Sequence, residues 1–161
     1  MKKSAKRNII KYAVSIAVPL CVGIFSSLIT AGNMDIYKEV NTPPLSPPSF
    51  LFPVVWTAIY ILMGISCGMI WDRRKTDKNA EKGLYYYGIS LVFNFTWSII
   101  FFNFRMFMPA FIWLLLLLYL IIFTVVYYRR VNKTAAYLQI PYIIWVAFAG
   151  YLNFGIWLLN R

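Results

Sequence analysis

The stretch Thr42–Gly64 reads TPPLSPPSFLFPVVWTAIYILMG and carries two instructions in succession. Five prolines fall within the twelve residues Thr42–Pro53. Each fixes φ and removes an amide donor, so Thr42–Pro48 is expected to be stiff and extended. Helix can begin only around Pro48 or Ser49, with Ser49 as N-cap. Pro53 costs little in the first turn, where the amides have no intrahelical partner. No charge then appears before Asp72. A rigid prolyl segment thus feeds a membrane helix that carries Trp56 about 10 Å below its start, at about 1.5 Å per residue.

The same pattern of long uncharged runs extends in both directions. No Asp, Glu, Lys or Arg lies in Tyr12–Met34, Val40–Trp71, Gly83–Phe104, Met106–Tyr128 or Thr134–Asn160. Each run meets the roughly 20 residues that a helix needs to cross a bilayer. Over 161 residues the chain is 61% hydrophobic and 13% charged, too apolar for an ordinary soluble domain. The expected fold class is an all-α membrane protein, a five-transmembrane-helix bundle within a single domain spanning residues 1–161. Its helices are expected at about 8–31, 49–71, 84–104, 107–128 and 136–159. The opening MKKSAKRNIIK resembles a signal-peptide n-region, but the apolar run after it is too long for one, and an uncleaved first helix is expected.

Charge distribution sets the expected topology. With five crossings, the N-terminus, the Asp72–Lys82 loop and the Arg129–Lys133 loop share one side. That side holds Lys2, Lys3, Lys6, Arg7, Lys11, Arg73, Arg74, Lys75, Lys78, Lys82, Arg129, Arg130 and Lys133, against Lys38, Arg105 and Arg161 on the other. Thirteen against three predicts a cytoplasmic N-terminus, with the prolyl loop and C-terminus outside. The net charge of +11 therefore calls for anionic lipid rather than nucleic acid. Gly32–Pro48, the long first loop, is the expected lid.

Within the spans, Pro19 predicts a kink in the first helix. Gly23, Ser26 and Ser27 allow close packing or room for a ligand. Gly64-x-x-x-Gly68 is a close-contact face, and Tyr85, Tyr86 and Tyr87 form an interfacial belt. Asn94 and Trp97, three residues apart, share a face. The last helix carries Gln139, Pro141, Trp145, Ala147, Ala149, Gly150 and Asn153, and its polar side chains should face protein or a cavity. Cys21 and Cys67 match no metal spacing and read as packing residues.

Much chemistry is excluded. The chain has no histidine, which removes a haem axial His, a typical zinc site and a His general base. All five acids (Asp35, Glu39, Asp72, Asp77 and Glu81) lie in or beside loops, so no intramembrane carboxylate serves ion coupling. What remains is aromatic. Trp56 and Trp97 fall at similar depths in the outer half, Asn94 one turn deeper, Trp145 somewhat lower, and Ala149 a turn above Trp145. These tryptophans read either as core and interface anchors or as walls for a flat apolar ligand that stacks on indole faces.

At these residues the chain resembles the tryptophan-rich sensory protein/translocator protein family (TspO/MBR). The resemblance is carried by PPLSPPSFLFPVVWTAIYILMG at Pro43–Gly64, FNFTWSIIFF at Phe93–Phe102 and PYIIWVAFAGYLNFGIWLLN at Pro141–Asn160. It implies a five-helix bundle, often a homodimer, with a pocket under the first loop that binds protoporphyrin IX or related tetrapyrroles and benzodiazepine-site ligands. By position that pocket would include Tyr37, Pro47, Trp56, Asn94, Trp97, Trp145 and Ala149. The tryptophans implicated in light- and oxygen-dependent porphyrin breakdown match Trp56 and Trp145. The chain departs from the family at Ile36, Pro44 and Phe50, positions often occupied by Trp. The sterol-recognition pattern is incomplete after Tyr151, so cholesterol is not an expected partner.

The resemblance implies a tetrapyrrole-binding protein, a sensor or scavenger, with porphyrin as ligand or substrate and no separate cofactor or metal. Its expected place is a bacterial cell membrane, as a multi-pass protein. A passive carrier or exporter of tetrapyrroles uses the same pocket, and an interaction scaffold would use the Gly64/Gly68 face.

Overall fold

Inside a bilayer every backbone amide must find its partner within the protein, which leaves long uncharged runs no choice but helix. The computed structural model describes residues 2–161, with side chains from residue 5 onward, and the described residues contain helices and turns without strands. The elements are α1 (Lys2–Thr30), α2 (Ile36–Glu39), α3 (Leu51–Trp71), α4 (Lys78–Ser98), α5 (Phe107–Val131), α6 (Lys133–Tyr137) and α7 (Ile140–Leu159). Five helical stretches are long and apolar enough to cross a membrane. The protein is an integral multi-pass membrane protein.

The spanning helices close into a ring. α1 packs on α3 and α4, α4 on α5, α5 on α7, and α7 returns to α3. The α1–α3 seam is tight because α3 presents glycines there. A Cβ on Gly64 would collide with the backbone of Ile16, and one on Gly68 would meet the Tyr12 ring at 2.6 Å. The Gly64-x-x-x-Gly68 face therefore packs α1 of its own chain, which leaves the scaffold reading without its surface.

Several local expectations are corrected. Ser49 is not the N-cap of α3: Phe50 holds that position without a side-chain bond, and the Pro48 and Ser49 carbonyls accept from Leu51 and Phe52 at 3.0 and 3.3 Å. Two backbone turns perform the capping that the Ser49 hydroxyl was expected to supply. Nor is Thr42–Pro48 uniformly extended. Leu45 takes a left-handed φ of 65°, and the Ser46 hydroxyl donates to the Pro43 carbonyl at 2.7 Å. The turn drops Pro43 into a buried position against Gly155.

α4 begins at Lys78 rather than at residue 84, because the Asp77 carboxylate caps it by accepting from the Asn79 amide at 2.8 Å. It ends in a π-turn over Ile99–Asn103, where the Phe104 amide donates to the Ile99 carbonyl at 3.1 Å. The last span is two helices, with Leu138 and Gln139 between α6 and α7. Pro141 explains the break. It lacks the amide that would continue the ladder, and it sits instead in the first turn of α7, where none is needed. Pro19 lies inside an unbroken α1.

Candidate functional site

At the end of the bundle where the prolyl loop lies, α1, α3, α4 and the loop enclose a cavity of about 200 Å³. Trp56 and Tyr60 of α3 form one wall, with ring centroids 5.4 Å apart and planes 24° from parallel. Trp97 of α4 and Phe102 of the π-turn form another, and α1 contributes Ser26 and Thr30. Tyr37 of α2 closes the top, 5.2 Å from the ring of Phe52, which lines the cavity too. No lining residue carries a charge.

Several polar atoms of these walls are already bonded within the protein. The Tyr60 hydroxyl donates to Asn94 Oδ1 at 2.7 Å. The Trp97 indole donates to Asn153 Oδ1 at 3.3 Å, and Asn153 Nδ2 donates in turn to the Phe107 carbonyl at 2.8 Å. This relay from α4 through α7 to α5 sets the plane of the Trp97 ring. The Ser27 and Thr30 hydroxyls donate to the Ile24 and Ser26 carbonyls of their own helix, both at 2.9 Å.

The loop is tied down from several directions. Ile36 is fully buried beneath it. Glu39 pairs with Arg105 at 2.8 Å, and Asn33 Nδ2 donates to Asn103 Oδ1 at 3.0 Å. The Asn160 side chain bonds both the amide and the carbonyl of Asn41 at 2.9 Å. Tyr151 donates its hydroxyl to the Pro44 carbonyl at 2.8 Å. On the other flank the cavity reaches the membrane-facing edge between α1 and α3, where its lining residues Ile24 and Thr57 are exposed.

Of the residues singled out from sequence, Tyr37, Trp56 and Trp97 meet at the cavity wall. Asn94 sits one layer behind, buried, orienting Tyr60. Trp145 also stands behind the wall. Its ring lies 6.4 Å from Trp56 at 88° and 5.9 Å from Phe52, and its indole N–H is buried without a partner. Ala149 is buried and Pro47 half-buried, both outside the lining.

Phe52, Tyr60 and Phe102 line the cavity without having been singled out. Phe52 and Tyr60 stand four residues before and after Trp56, the spacing that puts side chains on one helix face. That signal was legible. Phe102 reaches the cavity from the π-turn, which no spacing announces. No cluster of three or more metal-ligating side chains occurs among the described residues.

Comparison with known proteins places this geometry. The model of the TspO/MBR family matches residues 15–158. The chain is 33% identical over 155 residues to the tryptophan-rich protein TspO of Chlorobaculum tepidum, covering 96% of this chain and 98% of the relative. It is 34% identical over 154 residues to the tryptophan-rich protein TspO of Archaeoglobus fulgidus, covering 95% and 99%. It is 33% identical over 126 residues to the translocator protein of Ovis aries, covering 78% and 75%. The match takes in the loop, the tryptophans of the cavity and nearly all of the five spans alike, and the chain belongs to the TspO/MBR family.

Proposed function

We propose that the protein binds a tetrapyrrole such as protoporphyrin IX in the cavity under its first loop, as a sensor or scavenger of such ligands. The observation that carries this reading is an uncharged cavity walled by the faces of Trp56, Tyr60, Trp97 and Tyr37. Stacking and exclusion of water favour a flat, largely apolar ligand in such surroundings. At about 200 Å³ the cavity is smaller than the roughly 300–1,000 Å³ of typical ligand pockets, so a tetrapyrrole must displace a wall. Tyr37 and the loop above it are the wall that moves. Polar ties and turns hold them, together with Ile36 and Pro43, which pack into the bundle, and the ring contacts of Tyr37 with Phe52, Phe101 and Phe102. The exposed α1–α3 edge gives the ligand a route from the bilayer.

Light-driven destruction of the ligand is part of this proposal. The porphyrin absorbs the light and oxygen is the oxidant, while the protein supplies confinement and an oxidisable indole at Trp56. The basic end of the bundle is assigned to the cytoplasm of a bacterial cell, the loop end to the outside. A cysteine placed at Asn33 should then be labelled from outside intact cells and one at Asn79 should not.

Titration of protein in lipid nanodiscs with protoporphyrin IX and its zinc complex, followed by tryptophan quenching, tests the binding. Both should bind saturably and within about tenfold of one another, because stacking ignores the metal; tenfold is about 1.4 kcal/mol. Absence of saturable binding, or a larger preference for the zinc complex, overturns the reading. Product analysis in light and dark then separates destruction from carriage. A new chromophore in light alone means chemistry, and unchanged ligand means sensing or transport.

A further inference from the structure

The largest cavity described is not the one under the loop. At the opposite, basic end, α1, α3 and α4 border a groove of about 860 Å³. We infer that this groove is a binding site for one acidic phospholipid, its phosphate at Arg7 and Arg74 and an acyl chain along the helix walls.

The rim is built for an anion. Asp72 is held by Lys11, Nζ to Oδ2 at 2.6 Å, and the ion pairs among the described residues leave Arg7 and Arg74 without a carboxylate. Arg74 is anchored at the rim. Its guanidinium donates to the Trp71 carbonyl at 2.8 Å and lies over the Trp71 ring, 4.1 Å from the centroid. With Lys11 and Asp72 cancelling, the rim keeps two positive charges, complementary to a phosphate diester at the depth where a headgroup sits.

The walls are built for a chain rather than a flat ring. Ile10, Val14 and Val18 of α1 line it with Leu84 and Leu91 of α4, and its aromatics are Trp71 at the rim and Tyr87. Ile10, Val14 and Val18 are about half exposed, so the groove opens sideways to lipid. Beside Cys67, which lies five residues and so about 7.5 Å deeper than Asp72, the groove also meets Tyr87. Tyr87 is 5% exposed, and its hydroxyl is buried without a hydrogen-bond partner.

Gly88 completes the pattern. Gly64, Gly68 and Gly83 each have a neighbour that a Cβ would strike, whereas a Cβ at Gly88 meets nothing within 4 Å. A glycine inside a helix costs about 1 kcal/mol relative to alanine, and no packing contact accounts for this one. What the missing side chain leaves is groove.

Native mass spectrometry of the purified protein with phosphatidylglycerol and phosphatidylcholine of identical chains tests the site. One phosphatidylglycerol should be retained at about tenfold lower lipid concentration than phosphatidylcholine. Arg7→Gln with Arg74→Gln should equalise the two. Gly88→Trp should lose the bound lipid and Gly88→Ala should keep it, both with wild-type helix content by circular dichroism. Equal retention of both lipids by the wild type overturns the proposal, as does a folded Gly88→Trp that retains phosphatidylglycerol normally. Should Gly88→Trp fail to fold, the arginine pair decides: an unchanged preference for phosphatidylglycerol refutes the site. Displacement of the lipid by protoporphyrin IX, with weakened porphyrin binding in Gly88→Trp, would make the groove a porphyrin site and also refute it. Trp97→Ala reports on the loop-end cavity alone, so failure of one reading is distinguishable from failure of the other.

Discussion

The two ends of the bundle solve opposite problems with the same helices. At the loop end, aromatic rings line about 200 Å³, and the Ser27, Thr30, Thr57 and Tyr60 hydroxyls bond carbonyls or Asn94. Lys38 and Arg105 there are matched by Asp35 and Glu39 at 2.6 and 2.8 Å. At the basic end, largely aliphatic walls border about 860 Å³, and among the described residues Arg7 and Arg74 are in no ion pair. Polar groups that are satisfied internally leave a cavity that selects by shape and stacking. Polar groups that are left over select by charge and hydrogen bonding. The difference is not one of hydrophobicity. It lies in which charges find partners inside the chain.

The seam that separates the two sites offers the largest test. Gly64→Leu drives a side chain into the Ile16 backbone and the Ser15 carbonyl, neither of which can yield without moving α1. It should destabilise the protein by about 3 kcal/mol, at the upper end of ordinary overpacking, read as a lowered midpoint in denaturant. Gly88→Leu, which meets open space, should leave the midpoint nearly unchanged. Equal effects would mean that the two glycines do not differ as described.

Next in size is the loop-end wall. Trp97→Ala removes a cavity face and leaves Asn153 Oδ1 without its donor. Porphyrin affinity should fall by roughly 1–3 kcal/mol in a fluorescence titration. Trp157→Ala, on α7 and outside the cavity lining, should bind as the wild type does. A loss as large for Trp157→Ala would mean that general destabilisation, rather than the wall, sets affinity.

The two candidate reactive indoles are separated by the geometry. Only Trp56 lines the cavity, with Trp145 behind it. Trp56→Phe should slow light-driven porphyrin loss by about tenfold, or about 1.4 kcal/mol in barrier, and Trp145→Phe by less. Identical normal rates in both variants would reduce the indoles to pocket walls.

The smallest effect belongs to the basic rim. The hydrogen bond from Lys11, with its charge and those of Arg7 and Arg74, holds the Asp72 carboxyl below the usual carboxylate range. A depressed folded-state value contributes stability above the unfolded pKa of about 3.9, and that contribution is lost as pH falls through the lower folded value. With the Asp72 side chain 61% exposed, screening keeps the effect below about 1 kcal/mol. Asp72→Asn should lower stability by that amount at neutral and alkaline pH and leave it unchanged below the folded pKa, so the variant's stability is flatter against acid pH. An unchanged acid limb would show that the pair contributes nothing.

How much of this was legible beforehand differs by scale. Five spans, their order and the basic end follow from uncharged runs and the clustering of Lys and Arg, because a bilayer leaves a backbone no alternative to helix and charges no place within it. Trp56 and Trp97 could be placed near one another from helix depth alone, whereas Tyr37 was reached only through the family resemblance. Tyr60 and Phe52 were within reach of the same arithmetic, four residues to either side of Trp56.

Tertiary structure decided the rest. Trp145 and Asn94 fall behind the wall because α7 and α4 turn those faces toward α3, an azimuth that depth does not specify. Phe102 enters through a π-turn, and the last span breaks where Gln139 precedes Ile140 and Pro141. Gly64 and Gly88 are the same residue in similar helices, yet one seals a seam and the other opens a groove. A glycine only removes a side chain; whether a neighbouring helix fills the vacated space is settled by packing between distant segments. The sequence by itself determined which segments cross the membrane and which end carries the charge, since those depend on transfer from water to hydrocarbon, residue by residue. Where the cavities lie depends on how five helices share a ring, and only the assembled fold decides that.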